Sequence, residues 1–119
     1  MPRPISVDIS ASALAHNLAT VRARLDATAA ATGARPPSIW AVVKANAYGH
    51  GIECAVSAFA AAQGLAMLDF AEAVRCREAG WVGPILMLEG FFELADIELL
   101  DRYHLTTSIH NDGQLAMLE

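Results

Sequence analysis

The sequence predicts an α/β fold in which parallel strands alternate with helices. Short apolar runs of strand length alternate with segments of helical periodicity, and this pair repeats four times at a spacing of roughly 20–25 residues. The apolar runs are continuous rather than alternating, which is typical of strands covered on both faces. Alternation of this kind indicates parallel strands joined by right-handed crossovers. The four runs end on polar residues: Lys44, Asp69, Glu89 and His110.

The first unit follows a short extended segment over residues 4–9. A helix is predicted to begin at Ser10 or Ser12 and to end at Gly33, before a proline-rich break. The remaining elements are a strand over 39–43, a polar turn over 45–51, a helix over 54–62, strands over 64–68, 85–88 and 105–109, and helices that begin at Asp69, near Leu94 and at Asn111.

The second unit carries local signals for both helix ends. Asp69 is placed to cap a helix, and Glu72 stands three residues later, so the pair resembles a capping box. Gly80 is a natural residue for the position just after the helix. Periodicity alone leaves a (β/α)₈ barrel and an open doubly wound sheet as alternatives, and both place ligands at the carboxyl ends of the strands.

Composition excludes several classes of function. The chain has 119 residues, 55% of them hydrophobic, and a net charge of −5. An acidic chain without a basic block predicts no nucleic-acid partner, and no apolar run reaches the ~18 residues of a membrane span. Cys54 and Cys76 have no paired spacing, so we interpret both as buried thiols in a reducing cytoplasm. No cluster of residues has metal-ligand spacing, and we expect no metal site.

Lys44 is the first candidate for chemistry. It ends a buried strand, where partial loss of hydration favours the neutral amine, and a neutral amine attacks an aldehyde. The alternative is a lysine that extends from a strand end into solvent. Position alone leaves both interpretations open.

The surrounding segment, Ala-Val-Val-Lys-Ala-Asn-Ala-Tyr-Gly-His-Gly over 41–51, resembles the signature of alanine racemases without a break. Residues 3–24 are similar to the first helix of that family, and the resemblance extends through 72–75, 88–92 and 110–115. It therefore covers essentially the whole chain.

The resemblance implies a role for two residues. Lys44 is the catalytic residue and holds pyridoxal 5′-phosphate (PLP) as a Schiff base, and Tyr48 binds the phosphate of that cofactor. Val42 stands two residues before Lys44, on the same face of the strand, so we expect it to line the cofactor pocket, although it is equally an ordinary core valine. His50 is expected to orient the loop rather than to act as an acid or base.

The resemblance also implies the fold and the reaction. The fold is a partial (β/α)₈ (TIM-type) barrel of about four βα units, with residues 1–119 as the N-terminal part of the PLP-binding barrel domain. The last helix has barely begun at Glu119, so we expect a fragment without the rest of the barrel and the C-terminal β domain. The reaction is interconversion of L-alanine and D-alanine, with D-alanine supplied for peptidoglycan.

The whole protein is then expected to be a cytoplasmic homodimer that acts on a small-molecule substrate, alanine, without nucleic-acid or membrane partners. In the family the second catalytic base is a tyrosine from the partner subunit's C-terminal domain, so we expect the fragment alone to be inactive. Three alternatives stay open: a racemase of broader amino-acid range, a non-catalytic PLP carrier, and an association module that pairs the open edges of two half-barrels.

Overall fold

A computed structural model describes residues 3–119 and confirms the α/β class. Strands and helices alternate in the predicted order, and the segment that follows β1 forms a helical turn of its own. The elements are α1 (Ala11–Thr32), β1 (Trp40–Val42), α2 (Lys44–Tyr48), α3 (Ile52–Ala58), β2 (Gly64–Met67), α4 (Phe70–Glu78), β3 (Ile85–Met87), α5 (Leu94–Arg102), β4 (Thr106–Thr107) and α6 (Asp112–Leu118).

The four strands form one parallel sheet in sequential order, β1-β2-β3-β4. Val42 lies beside Ala66, Ala66 beside Leu86 and Leu86 beside Thr106. Sequential parallel neighbours joined by helices are the building pattern of a (β/α)₈ barrel. The register brings the carboxyl ends of all four strands to one edge of the sheet, so the residues that follow each strand share that edge.

The core lies between the middle strands and the helices that follow them. All four residues of β2 are buried, and Ile85 and Met87 of β3 are fully buried. Ile52 of α3 and Cys76 of α4 pack into the same cluster. Coverage on both faces was thus predicted correctly for β2. It was wrong for β1, which forms one edge of the four strands of residues 3–119 and has Trp40 and Val42 each 39% exposed.

Two predicted elements differ from the structure by two residues or more at one end or both, whereas the other three strands differ by at most one residue at each end. The second helix, predicted over 54–62, begins at Ile52 and ends at Ala58. It begins early because the Ile52 amide donates to the Asn46 side chain, 3.0 Å away, which caps the helix from outside. The fourth strand, predicted over 105–109, is limited to Thr106–Thr107.

The predicted caps are confirmed in three helices. Ser10, Asp69 and Asn111 each accept a hydrogen bond from a backbone amide in the first turn of the following helix. The capping box predicted at Asp69 and Glu72 was wrong, because the Glu72 carboxylate faces the loop after β1. Within residues 3–119, no helix is long and apolar enough to cross a membrane.

Candidate active site

The segment after β1 is one turn of left-handed helix. Ala45, Asn46 and Ala47 have φ of +53° to +56° and ψ of +46° to +52°, and Tyr48 has φ of +55°. The left-handed conformation costs about 1–2 kcal/mol per residue for side chains other than glycine. Four such residues in succession are rare, and strain of this kind concentrates at functional sites. The predicted polar turn is therefore a strained and specific structure.

Side chains hold this turn from three directions. The Asn46 amide donates to Glu72 Oε1 at 2.7 Å, across 26 positions of sequence. The Asn46 side chain accepts from the Ile52 amide, which ties the turn to α3. His50 Nδ1 lies 2.8 Å from the Ala47 carbonyl oxygen, and as a donor it closes the turn on itself. His50 therefore orients the loop, as expected from the sequence.

The turn brings Lys44 and Tyr48 together at the carboxyl edge of the sheet. Lys44 Nζ lies 6.0 Å from the centroid of the Tyr48 ring. Lys44 is half-buried, whereas the Tyr48 side chain is 59% exposed. The site thus offers an amine and a phenol side by side on one open surface.

Val42 lies on the same side of the molecule as Tyr48. Both line a small cavity of about 120 Å³, whose walls are formed by Leu14, Val42, Val43, Ala47, Tyr48, His50, Ala55 and Phe59. Ligand pockets are usually about 300–1,000 Å³, so this cavity is too small for a cofactor. A ligand of the Lys44–Tyr48 pair would lie on the open surface rather than inside it.

Lys44 is the single lysine among the 119 residues, whereas seven arginines occur. A strand end that needs only a solvated positive charge accepts either residue, but an arginine cannot form an imine. A lone lysine in an arginine-rich chain therefore favours the chemical interpretation. The number of lysines can be read from the sequence alone, and it favours Lys44 as the candidate for imine chemistry.

Glu72 is the site residue that sequence reasoning missed. Its position three residues after Asp69 indicated a local cap, yet Asp69 caps α4 alone through the Ala71 amide. Glu72 is half-buried, and its Oε2 atom is buried without a hydrogen-bond partner among the described residues. A partner 26 residues away leaves no local signal, so only the fold reveals this contact.

The cysteines lie on α3 and α4, and the expectation that both are buried is confirmed for Cys76 and wrong for Cys54, which is half-buried. Burial raises the pKa of the Cys76 thiol to about 11, with the nearby Glu72 carboxylate as a second cause. That thiol is protonated at neutral pH and inert. Among the residues that the structure describes, no group of three or more His, Cys, Asp and Glu residues is placed to hold a metal ion.

These features define a class: a partial βα-barrel scaffold with parallel strands and a half-buried lysine at the carboxyl edge of its first strand. A family model, "Alanine racemase, N-terminal domain", matches residues 9–119. The chain belongs to this family.

Relatives and solved structures agree with that membership. The chain is 70% identical over 118 residues to an alanine racemase of Bordetella petrii, and 53% identical over 119 residues to one of Paraburkholderia phytofirmans. These alignments cover 99% and 100% of the chain, and in each case 31% of the relative. The chain thus spans about a third of the length of the relatives that it matches.

The fold matches solved alanine racemases. The structure from Acinetobacter baumannii aligns with a TM-score of 0.78 at 27% identity, covering 92% of this chain and 30% of that one. The structure from E. faecalis aligns with a TM-score of 0.75 at 33% identity, covering 93% of this chain and 28% of that one. The expectation of a partial barrel is confirmed.

Proposed function

We propose that residues 1–119 are the N-terminal part of the barrel domain of a PLP-dependent alanine racemase. Its reaction is the interconversion of L-alanine and D-alanine, and its product supplies D-alanine for peptidoglycan. The observation that carries the proposal is the Lys44–Tyr48 pair, 6.0 Å apart from amine to ring centroid, on a strained turn in a chain of this family.

The donor set fits PLP. A half-buried primary amine reacts with an aldehyde, and an exposed phenol donates a hydrogen bond to a phosphate oxygen. Lys44 would hold the cofactor covalently, and Tyr48 would bind its phosphate. Val42, which is 39% exposed and stands two residues before Lys44 on the chain, would contribute an apolar contact.

Each residue then has a separate task. PLP, when bound, withdraws electrons from the substrate Cα and so stabilises the carbanion formed there. Lys44 Nζ, the group that would hold the cofactor, would also move a proton on one face of the substrate Cα. Tyr48 Oη fixes the cofactor by donating to its phosphate. The left-handed turn holds Lys44 and Tyr48 in one arrangement, so that little ordering is required on binding.

Racemisation needs a second acid–base group on the opposite face of Cα. The family supplies it as a tyrosine of the partner subunit, and we therefore propose a homodimer for the whole protein and little activity for residues 1–119 alone. We also propose a cytoplasmic location, which fits the thiol state of Cys54 and Cys76 as free cysteines.

The decisive experiment traps the cofactor on the protein. The intact polypeptide that carries this chain is incubated with PLP, reduced with borohydride and mapped by peptide mass spectrometry. We expect the pyridoxyl group on Lys44. Because residues 1–119 contain one lysine, a modified peptide from this region identifies its site directly.

Lys44→Arg is the matched control, since it keeps the positive charge and removes the reactive amine. It should lose the adduct at this peptide and lose racemisation of alanine in the same preparation. An adduct found only at other lysines or at the N-terminal amine, with Lys44 unlabelled, would refute the proposal.

A further inference from the structure

The left-handed turn has a backbone amide that its own hydrogen bonds do not reach. The Ala47 amide donates to the Val43 carbonyl, and the Gly49 amide donates to the Ala45 carbonyl. The hydrogen bonds within the turn therefore begin with the Ala47 amide. As at the start of any helix, the earlier amides need partners from elsewhere. The Asn46 amide is one of these, and its partner determines whether the turn is closed at its beginning.

That partner comes from the neighbouring βα unit. Glu72 Oε1 accepts from the Asn46 amide at 2.7 Å, the distance of a hydrogen bond strengthened by charge. The bond joins α4, which follows β2, to the turn that follows β1. Asn46 lies between Lys44 and Tyr48 in the sequence, so the bond holds the segment that connects these two residues.

Glu72 is free for this task because α4 does not use it. Asp69 caps α4 by accepting from the Ala71 amide at 2.8 Å, and the Glu72 side chain makes no capping contact with Asp69. The Oε2 atom is buried among the described residues without a hydrogen bond, so Glu72 holds a half-buried carboxylate with one oxygen committed to the turn. Burial of a carboxylate costs free energy, and the hydrogen bond from the Asn46 amide to the other oxygen offsets part of that cost.

We propose that Glu72 is a positioning residue that caps the left-handed turn, and that this cap sets the geometry of Lys44 and Tyr48 for PLP. The role rests on the proposed function for its ligand, but the cap itself is a property of the chain. The feature required of residue 72 is an acceptor oxygen at the reach of a glutamate side chain, not a negative charge in the first turn of α4.

Two substitutions separate these requirements. Glu72→Asp keeps the charge and withdraws the oxygen by one methylene. Glu72→Gln removes the charge and keeps an acceptor oxygen at full reach. Glu78→Ala removes an exposed carboxylate from the same helix and serves as the control.

The first readout is hydrogen exchange of the Asn46 amide, measured by NMR in the intact polypeptide without cofactor. Glu72→Asp should speed exchange of this amide about tenfold or more, as expected for the loss of a hydrogen bond to a charged acceptor. Glu72→Gln should stay within about threefold of the parent, because a neutral acceptor retains part of that bond. Glu78→Ala should leave the rate unchanged.

The second readout is PLP affinity, taken from the concentration that half-saturates the borohydride-trapped adduct at Lys44. A loosened turn lowers the fraction of molecules that are competent to bind, so Glu72→Asp should weaken affinity about tenfold. Glu72→Gln should recover most of it.

Slow exchange in Glu72→Asp, or exchange as fast in Glu72→Gln as in Glu72→Asp, would overturn the proposal. Faster exchange with unchanged PLP affinity would also overturn it, because the cap would then be structural only. A parent without an adduct at Lys44 refutes the proposed function instead, and the exchange rates of the Asn46 amide still decide whether Glu72 holds the turn.

Discussion

The loops at the two ends of the sheet differ in backbone conformation and in the side chains that form hydrogen bonds with their backbone. At the carboxyl end, after β1, four residues adopt a strained left-handed turn, and an exposed tyrosine stands beside a half-buried lysine. At the amino end, before β3 and β4, a single guanidinium satisfies the loops. Arg77 donates to four carbonyl oxygens, those of Trp81, Gly83, Tyr103 and His104, at 2.6–3.1 Å.

We infer from this difference that the carboxyl end of the sheet serves ligand binding and that the amino end serves stability. Barrels place their reactive groups at the carboxyl ends of strands, and residues at the opposite end serve stability. Arg77 is a half-buried support, because its donors are used by the backbone oxygens of two loops. Burial lowers the pKa of its guanidinium. The Lys44–Tyr48 turn is maintained by contacts from its neighbours, so changes there should affect binding before they affect folding.

The largest effect on stability is expected at Arg77. Arg77→Ala leaves four loop carbonyls without their donor, and we expect a loss of about 3 kcal/mol or more in the free energy of unfolding. Urea denaturation measures it. Arg77→Lys should recover only a small part, because an ammonium cannot reproduce the planar fork of donors. A loss below about 1 kcal/mol in Arg77→Ala would show that water replaces the guanidinium and that the amino end is not the stabilising end.

The second-largest effect on stability is expected for Gly90→Ala, which tests whether the loop after β3 is closely packed. Gly90 has φ of +81°, and a Cβ there would lie 2.6 Å from the Ser108 carbonyl oxygen. Gly90→Ala should therefore lower the free energy of unfolding by about 2–3 kcal/mol. Gly33→Ala is a matched control, because Gly33 has φ of +71° with open space around it and should cost only about 1 kcal/mol. Equal losses in the two variants would mean that the contact with Ser108 relaxes.

A smaller effect, on binding alone, is expected at the turn. Tyr48→Phe removes the phenolic hydroxyl and keeps the exposed ring. PLP affinity should therefore fall about tenfold, the equivalent of one hydrogen bond to a charged phosphate. The midpoint of thermal unfolding should stay within about 1 °C of the parent, since the hydroxyl of an exposed side chain contributes little to folding. A shift in unfolding as large as that in binding would place Tyr48 in the fold rather than in the site.

The order of the elements and the edge of the sheet where Lys44 and Tyr48 lie were predictable from the sequence. The apolar runs, the polar residues after them and the caps at Ser10, Asp69 and Asn111 are local signals, and the structure confirms each. Lys44 and Tyr48 came from a contiguous motif, and the structure places them side by side. Their roles toward PLP remain predictions.

The conformation of the turn was not predictable in the same way. Ala45 and Ala47 adopt positive φ although alanine has no preference for it, so the residues themselves give no warning. One of the contacts that hold the turn comes from a distant position, the Glu72 carboxylate on the Asn46 amide. Local rules assigned Glu72 to its own helix because that is the nearest available partner, and tertiary contact overrode this assignment.

The smallest effect is expected on the outer helical layer, away from both ends. Arg75 forms a bidentate ion pair with Glu53 across α3 and α4, at 2.8 and 3.1 Å. The hydrogen bonds from Arg75 hold the pKa of Glu53 below its ordinary value of 4.5. A lowered pKa in the folded state stabilises the protein above pH 4.5, and this contribution disappears as the pH falls through the folded value.

Glu53→Gln should therefore lower the urea midpoint slightly at neutral pH and leave it unchanged under acid conditions, where both proteins carry a neutral side chain at this position. Glu98→Gln on α5 removes a carboxylate outside this ion pair and is the control. The pair is exposed, so its effect on stability is small beside those of Arg77 and Gly90. If the urea midpoints of the parent and Glu53→Gln still differed in acid, the difference would arise from packing of the side chain rather than from the ion pair. The contacts of the helical layer would then stabilise the fold independently of pH, as we expect for those of Arg77.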